Sequence, residues 1–220
     1  MPARQQVLLM RHPQTFANTE HFLSGRKDVE LTQLGVSQMY EAIGALAAWR
    51  PDRIWCSPLA RCRAIAEEVA AALGLSCEVH EELAEIEFGS VQDWTHERLV
   101  SAGYSFPWPF DDAGRSLPAP GAESFEELVE RARLVLDELR PLSGRTACIT
   151  HGGFTRALIG AALDTPLTSF WNLQVRNVSS QIMSCDGRRF ALEALGLRPE
   201  ELRLRSARAP LDEDFWSDVR

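Results

Sequence analysis

Three things are scarce in this sequence, and each scarcity removes a class of protein. Positive charge is the first. Lysine and arginine total 23 against 31 aspartates and glutamates, a formal net charge of −8. No general affinity for nucleic acid or an anionic membrane surface is expected from such a chain. An anionic ligand would have to be held by local charge, against the overall field. Long apolar runs are the second. None approaches the roughly 20 residues of a membrane span, and the N-terminus carries no run of signal-peptide length. Patterned cysteine is the third. Cys56, Cys62, Cys77, Cys148 and Cys185 make an odd count of five, and their spacing fits no zinc or redox motif. Cys56 and Cys148 sit inside apolar runs, where cysteine behaves as a small hydrophobe. The expectation is a reducing, cytoplasmic setting.

What is present is an ordinary globular composition, 45% hydrophobic and 25% charged over 220 residues. That length suits one large domain, or a core with a modest insertion. "VLLM" (7–10) is too short and too apolar for an amphipathic helix and reads as a buried strand. Residues 13–30 are polar and read as a long loop. A helix follows, with Thr32 as N-cap and Pro51 as breaker. "RIWC" (53–56) is a second buried strand. The next helix has Ser57 as its expected N-cap, Pro58 at its first position and Gly74 as its stop. From 90 to 123 periodicity fails, around the aromatic "FPWPF". A loop of this length is a functional lid or a disordered insert. Ser124 and Glu127 have capping-box spacing before a helix that reaches Arg140. "TACIT" (146–150) is a third buried strand and runs straight into "HGGFTRALIGAAL", another helix. A hairpin is expected about Asp186-Gly187, then an irregular surface tail over 196–220. No internal repeat is seen. Short apolar strands alternating with helices give the expected fold class: a three-layer α/β/α sandwich with a mainly parallel sheet and a lid insertion.

In such sheets ligands bind beyond the carboxyl ends of the strands. The first strand delivers Arg11-His12. The second delivers Ser57-Pro58, with Arg61 close behind. The third delivers His151-Gly152-Gly153. Arg61 and Arg63 stand in the first turn of a helix, where the dipole disfavours cations. They make sense if an anion occupies that pole. A pairing of Arg61 with Glu67 or Glu68 is the plainer alternative. Glycines at the third strand end let backbone N–H groups approach an anion closely. Each feature alone has a structural reading; their joint placement at three strand ends points to one anion site.

These residues resemble the histidine phosphatase superfamily. "LMRHPQTFAN" is similar to its Arg-His motif, "CSPLARCRAIA" to its Ser-x-Leu-x-Arg-Ala motif, and "LAEIEFG" to its acid motif. "PAPGAESFEEL" resembles its Pro-Gly-Gly-Glu-Ser stretch, and "ITHGGFTRAL" its second-histidine motif. The five occur in family order from Val7 to about Leu195. Departures are Pro13 where glycine is usual, Ala64-Ile65 for Gln-Thr, and "GSVQDW" after the acid motif.

The resemblance implies a phosphatase acting on a small phosphorylated metabolite, with no metal and no cofactor. His12 would be the nucleophile and would carry a phosphohistidine. Arg11, Arg61 and His151 would surround the phosphoryl oxygens. Glu85 would be the general acid and base; Glu82 and Glu87 are its rivals. Asn18, Thr15, Ser24, Gly25 and Gly152 are the expected substrate-binding positions. A mutase is the first alternative, but mutase members carry a tryptophan before the asparagine and paired arginines in the lid. Here Ala17 precedes Asn18, and Arg98 and Arg115 are isolated. A non-catalytic phosphate binder is the second alternative. Trp94, Phe106, Trp108 and Phe110 form an aromatic wall for a leaving group, pack the insert onto the domain, or make a homodimer contact. Fold analogy does not fix the substrate.

Overall fold

The computed structural model describes residues 5–208. Its centre is a six-stranded sheet in the order β3-β2-β4-β1-β5-β6. The strands are β1 (Gln5–Arg11), β2 (Arg53–Cys56), β3 (Cys77–Val79), β4 (Gly144–Thr150), β5 (Ser180–Cys185) and β6 (Phe190–Leu197). The pairs β1–β4, β4–β2 and β2–β3 are parallel, and β5 runs antiparallel to both its neighbours. Val7 to Met10 are fully buried because helices cover both faces of the sheet. That is why the run is continuous in hydrophobicity rather than alternating.

Alternate residues of β1 feed two separate cores. Val7 and Leu9 face α5 (Phe125–Leu139), α6 (Gly152–Ala162) and the 90–123 insert. Leu8 and Met10 face α2 (Gln33–Trp49) and α3 (Ala60–Leu73). The capping signals for α2 and α5 are realised. Thr32 Oγ1 accepts from Gly35 N, and Ser124 and Glu127 close a capping box. Gly74 ends α3 in the left-handed conformation, with φ +67°. Asp186 Oδ1 accepts from the backbone N–H groups of Arg188 and Arg189 and closes the β5–β6 hairpin.

Three expectations need correction. The loop over 13–30 contains a short helix, α1 (Phe16–Thr19). The insert holds α4 (His96–Ser101), capped by Thr95. The segment from 196 is not an irregular tail within the described residues. It completes β6 and then forms α8 (Pro199–Arg208), whose Leu202 is fully buried in the core beneath α2. Proline at the first helical position and Glu200-Glu201 in the first turn are ordinary helix-start signals, and they overrode the charged composition. The tail over 209–220 lies outside the described residues. Between α6 and β5, α7 (Leu167–Phe170) leads into an irregular segment, 171–178, with turns at both ends.

Candidate active site

Parallel ladders bring the three strand ends together. His12 N donates to Thr150 O at 2.9 Å, so β1 and β4 remain paired up to the histidine. His151 follows at once and stands as the N-cap residue of α6. The two imidazole centroids are 5.2 Å apart. His12 is 4% exposed and His151 is fully buried.

His12 Nδ1 lies 2.6 Å from Pro13 O. A carbonyl can only accept, so Nδ1 carries the proton and Nε2 of the neutral ring keeps its lone pair. Burial, then Arg61 and Arg11, hold the His12 pKa well below the ordinary 6.5. The ring is thus neutral and nucleophilic rather than cationic. Pro13 replaces glycine without cost to this contact, because only its carbonyl is used. His151 is likewise depressed by burial, then by Arg61, His12 and Arg11. Its Nε2 lies 2.7 Å from Ser57 Oγ. Ser57 is therefore not a helix cap: α3 begins at Ala60 after Leu59, and the hydroxyl serves the histidine.

Two buried guanidiniums flank the pair. Arg61 Nη1 and Nη2 donate to Lys27 O and Gly25 O, each at 2.8 Å. Arg61 pairs with neither Glu67 nor Glu68. Arg63 makes that ion pair, at 2.6 Å on the exposed side of α3, and takes no part in the site. Arg11 Nη1 donates to Val175 O at 2.7 Å. Burial pushes its pKa down to about 10, with Glu85 opposing the shift, so it stays charged at neutral pH. Among the described residues, the Nε groups of Arg11 and Arg61 are both buried without an acceptor. A buried, unpaired N–H on a cation is costly unless a ligand meets it.

Glu85 is placed by α6. Its Oε2 accepts from Gly153 N and its Oε1 from Phe154 N, each at 3.2 Å, at the positive pole of the helix. Its rivals are elsewhere. Glu87 turns back to the backbone N–H groups of Phe88 and Gly89. Glu82 offers its carbonyl to Arg131. Arg131 also makes a paired contact with Glu123, both bonds at 2.8 Å, and donates to Ala84 O. This locks the acid segment to α5.

The proposed substrate-binding positions divide. Gly152 lies between two cations: a Cβ there would stand 3.3 Å from Arg11 Nε and 3.2 Å from Arg156 Nη1. Asn18 Oδ1 accepts from Thr15 N, while Thr15 is 1% exposed and serves the loop. Gly25, at φ +48°, supplies its carbonyl to Arg61. Ser24 lies in the same turn and takes Lys27 N on its carbonyl.

The aromatic wall is mostly core. Trp108 is 2% exposed and donates to Glu123 O. Phe106 packs edge-on against Phe88, Trp108 and Trp171. Phe110 leans on Phe125. The insert's aromatics hold it to the domain. Residues that sequence reasoning missed are Arg156, Trp171 and Asn177. Arg156 donates to Leu173 O and sits over the Trp171 ring. Asn177 reaches both His12 O and Asn18 Oδ1. Arg156 falls in the motif stretch as an ordinary helix residue, and 171–178 has no periodicity to flag it.

A neutral histidine, two arginines and a carboxylate at a helix start are thus gathered in one place, a set suited to holding a phosphoryl group. Comparison with known proteins gives the family. The model of the histidine phosphatase superfamily (branch 1) matches residues 7–198, and the chain belongs to that family. It is 29% identical to the adenosylcobalamin/alpha-ribazole phosphatase of Salmonella typhimurium, over 83% of this chain and 92% of that one. A probable phosphoglycerate mutase of Erwinia tasmaniensis is 28% identical, with 79% and 82% covered. The solved mycobacterial glucosyl-3-phosphoglycerate phosphatase in complex with VO3 superposes with a TM-score of 0.78 at 26% identity, covering 87% of this chain and 98% of that one.

Proposed function

We propose that this protein is a phosphatase that hydrolyses a small-molecule phosphomonoester through a phosphohistidine on His12. The observation that carries this reading is the Nδ1 bond from His12 to the Pro13 carbonyl, which leaves Nε2 free between Arg11 and Arg61. Nε2 attacks phosphorus and forms the N–P bond as the ester P–O bond breaks. Glu85 gives a proton to the departing oxygen and later takes one from the water that cleaves the N–P bond. Arg11 and Arg61 balance the charge on the equatorial oxygens throughout. Charge supports a dianion. Arg11, Arg61 and Arg156 bring three positive charges to the site, and among the described residues none of the three has an ion-pair partner.

A mutase reading is favoured by the names of several relatives, the Erwinia tasmaniensis protein among them, but not by the insert. Arg98 stacks on Trp94, and Arg115 pairs with Asp111 on the surface. Neither reaches the site. A panel of phosphorylated metabolites, assayed for phosphate release and for phosphoglycerate isomerisation, separates the two. Release without isomerisation is expected; isomerisation as the faster process would overturn the phosphatase reading.

A further inference from the structure

The segment 171–178 meets the site at Leu173, Val175 and Asn177. Leu173 O accepts from Arg156 Nε, and Val175 O from Arg11 Nη1. Asn177 Nδ2 donates to His12 O at 3.0 Å and to Asn18 Oδ1 at 3.2 Å. Val178 N then donates to Arg11 O, which returns the chain to the sheet.

Two backbone groups at the ends of this chain of bonds fix both amide orientations. Thr15 N can only donate, so the Asn18 atom 3.0 Å from it must be the oxygen. His12 O can only accept, so the Asn177 atom facing it must be the nitrogen. The two assignments agree at the Asn18–Asn177 contact. Asn18 Oδ1 also lies 3.2 Å from Thr15 Oγ1, so its acceptor capacity is filled. The Asn18 NH2 has no acceptor among the described residues, and it is the end of the amide left to meet a ligand.

Backbone strain marks the same place. Val178 has φ +51° and is 4% exposed. A β-branched residue in that region is a true outlier and persists only where the surrounding structure holds it there.

We propose that Asn177 is a positioning residue that holds Asn18 with its NH2 toward the phosphoryl group. This rests on the phosphoryl site described above. Asn177 touches no substrate; it acts through Asn18, with the strained turn at Val178 keeping it in reach.

The test compares Asn177→Ala, the isosteric Asn177→Asp, Asn18→Ala and the Asn18→Ala/Asn177→Ala double variant. Two readouts are used: kcat/KM for para-nitrophenyl phosphate, and the rise in unfolding temperature caused by inorganic phosphate. Each single variant should lose about tenfold to a hundredfold in kcat/KM, the range expected for a misplaced donor. The double variant should be no more than about threefold below Asn18→Ala, because both substitutions remove one interaction. Asn177→Asp should lose as much as Asn177→Ala while melting within a few degrees of wild type, which excludes simple unfolding. Losses that multiply in the double variant, or full activity in both Asn177 variants, would overturn the proposal. A wild-type protein that binds phosphate without turnover would sink the phosphatase reading alone. The phosphate-induced shift, retained in wild type and reduced equally in single and double variants, would still support the role of Asn177.

Discussion

At the residue scale the site depends on keeping two histidines neutral. His12 and His151 are buried beside Arg11 and Arg61, and both have pKa values well below 6.5. Below about pH 6.5 the unfolded chain binds a proton at each ring and the native protein does not. Stability therefore falls as pH falls through that point, by up to ~1.4 kcal/mol per pH unit for each ring. Urea unfolding between pH 7.5 and 5 should show this slope, and it should flatten in His12→Asn. A slope that is the same in His12→Asn as in wild type would mean that His12 protonates in the folded state as readily as in the unfolded chain. The role proposed for His12 makes a demand of the same sign, since an attacking ring must stay unprotonated, and its pKa lies well below 6.5. Arg11, His12 and His151 were legible in the sequence because strand ends in a parallel sheet converge. Asn177 was not, since its importance comes from a carbonyl 165 residues away.

At the element scale, α6 does most of the arranging. Its N-terminus takes the Glu85 carboxylate, and its bare first turn lets that carboxylate come close. A Cβ on Gly153 would stand 2.4 Å from Glu85 Oε1 and 3.2 Å from Trp171 Cη2. Gly153→Ala should leave the fold intact, because alanine favours a helix by up to ~1 kcal/mol over glycine. It must displace the acid, however. We expect turnover of alkyl phosphates, which need a proton on the leaving oxygen, to fall about tenfold to a hundredfold, while aryl phosphates change little. Equal loss for both would count against Glu85 as the acid. In the sequence "HGG" reads as a tight turn whose N–H groups can meet an anion; in the structure those of Gly153 and Phe154 meet the Glu85 carboxylate. That the same glycines admit a side chain from residue 85 depends on the Arg131–Glu123 clamp, which no local pattern reveals.

At the scale of the whole molecule, alternation along β1 separates two cores, and each face needs its own cover. The three-layer sheet was readable from short apolar runs between helices. The last cover on the α2 face was not, because the charge of 198–208 masked a proline-led helix. Leu202 is fully buried there, and Arg203 reaches back to Glu41 O. Leu202→Ala should cost about 2–5 kcal/mol, as other deletions of a buried leucine do. Chemical denaturation would show it, with kcat little altered because α8 lies on the face away from α6. A near-zero cost would mean that α8 is only loosely held to α2.

The account stands on His12 Nε2 as the attacking atom. Its most direct measurement is quenched-flow trapping with a phosphomonoester substrate, followed by peptide mapping under conditions that preserve phosphoramidates. The expected result is a phosphoryl label on His12 that forms and decays at rates compatible with turnover and is absent in His12→Ala. Turnover without that label, or with the label on His151, would contradict it.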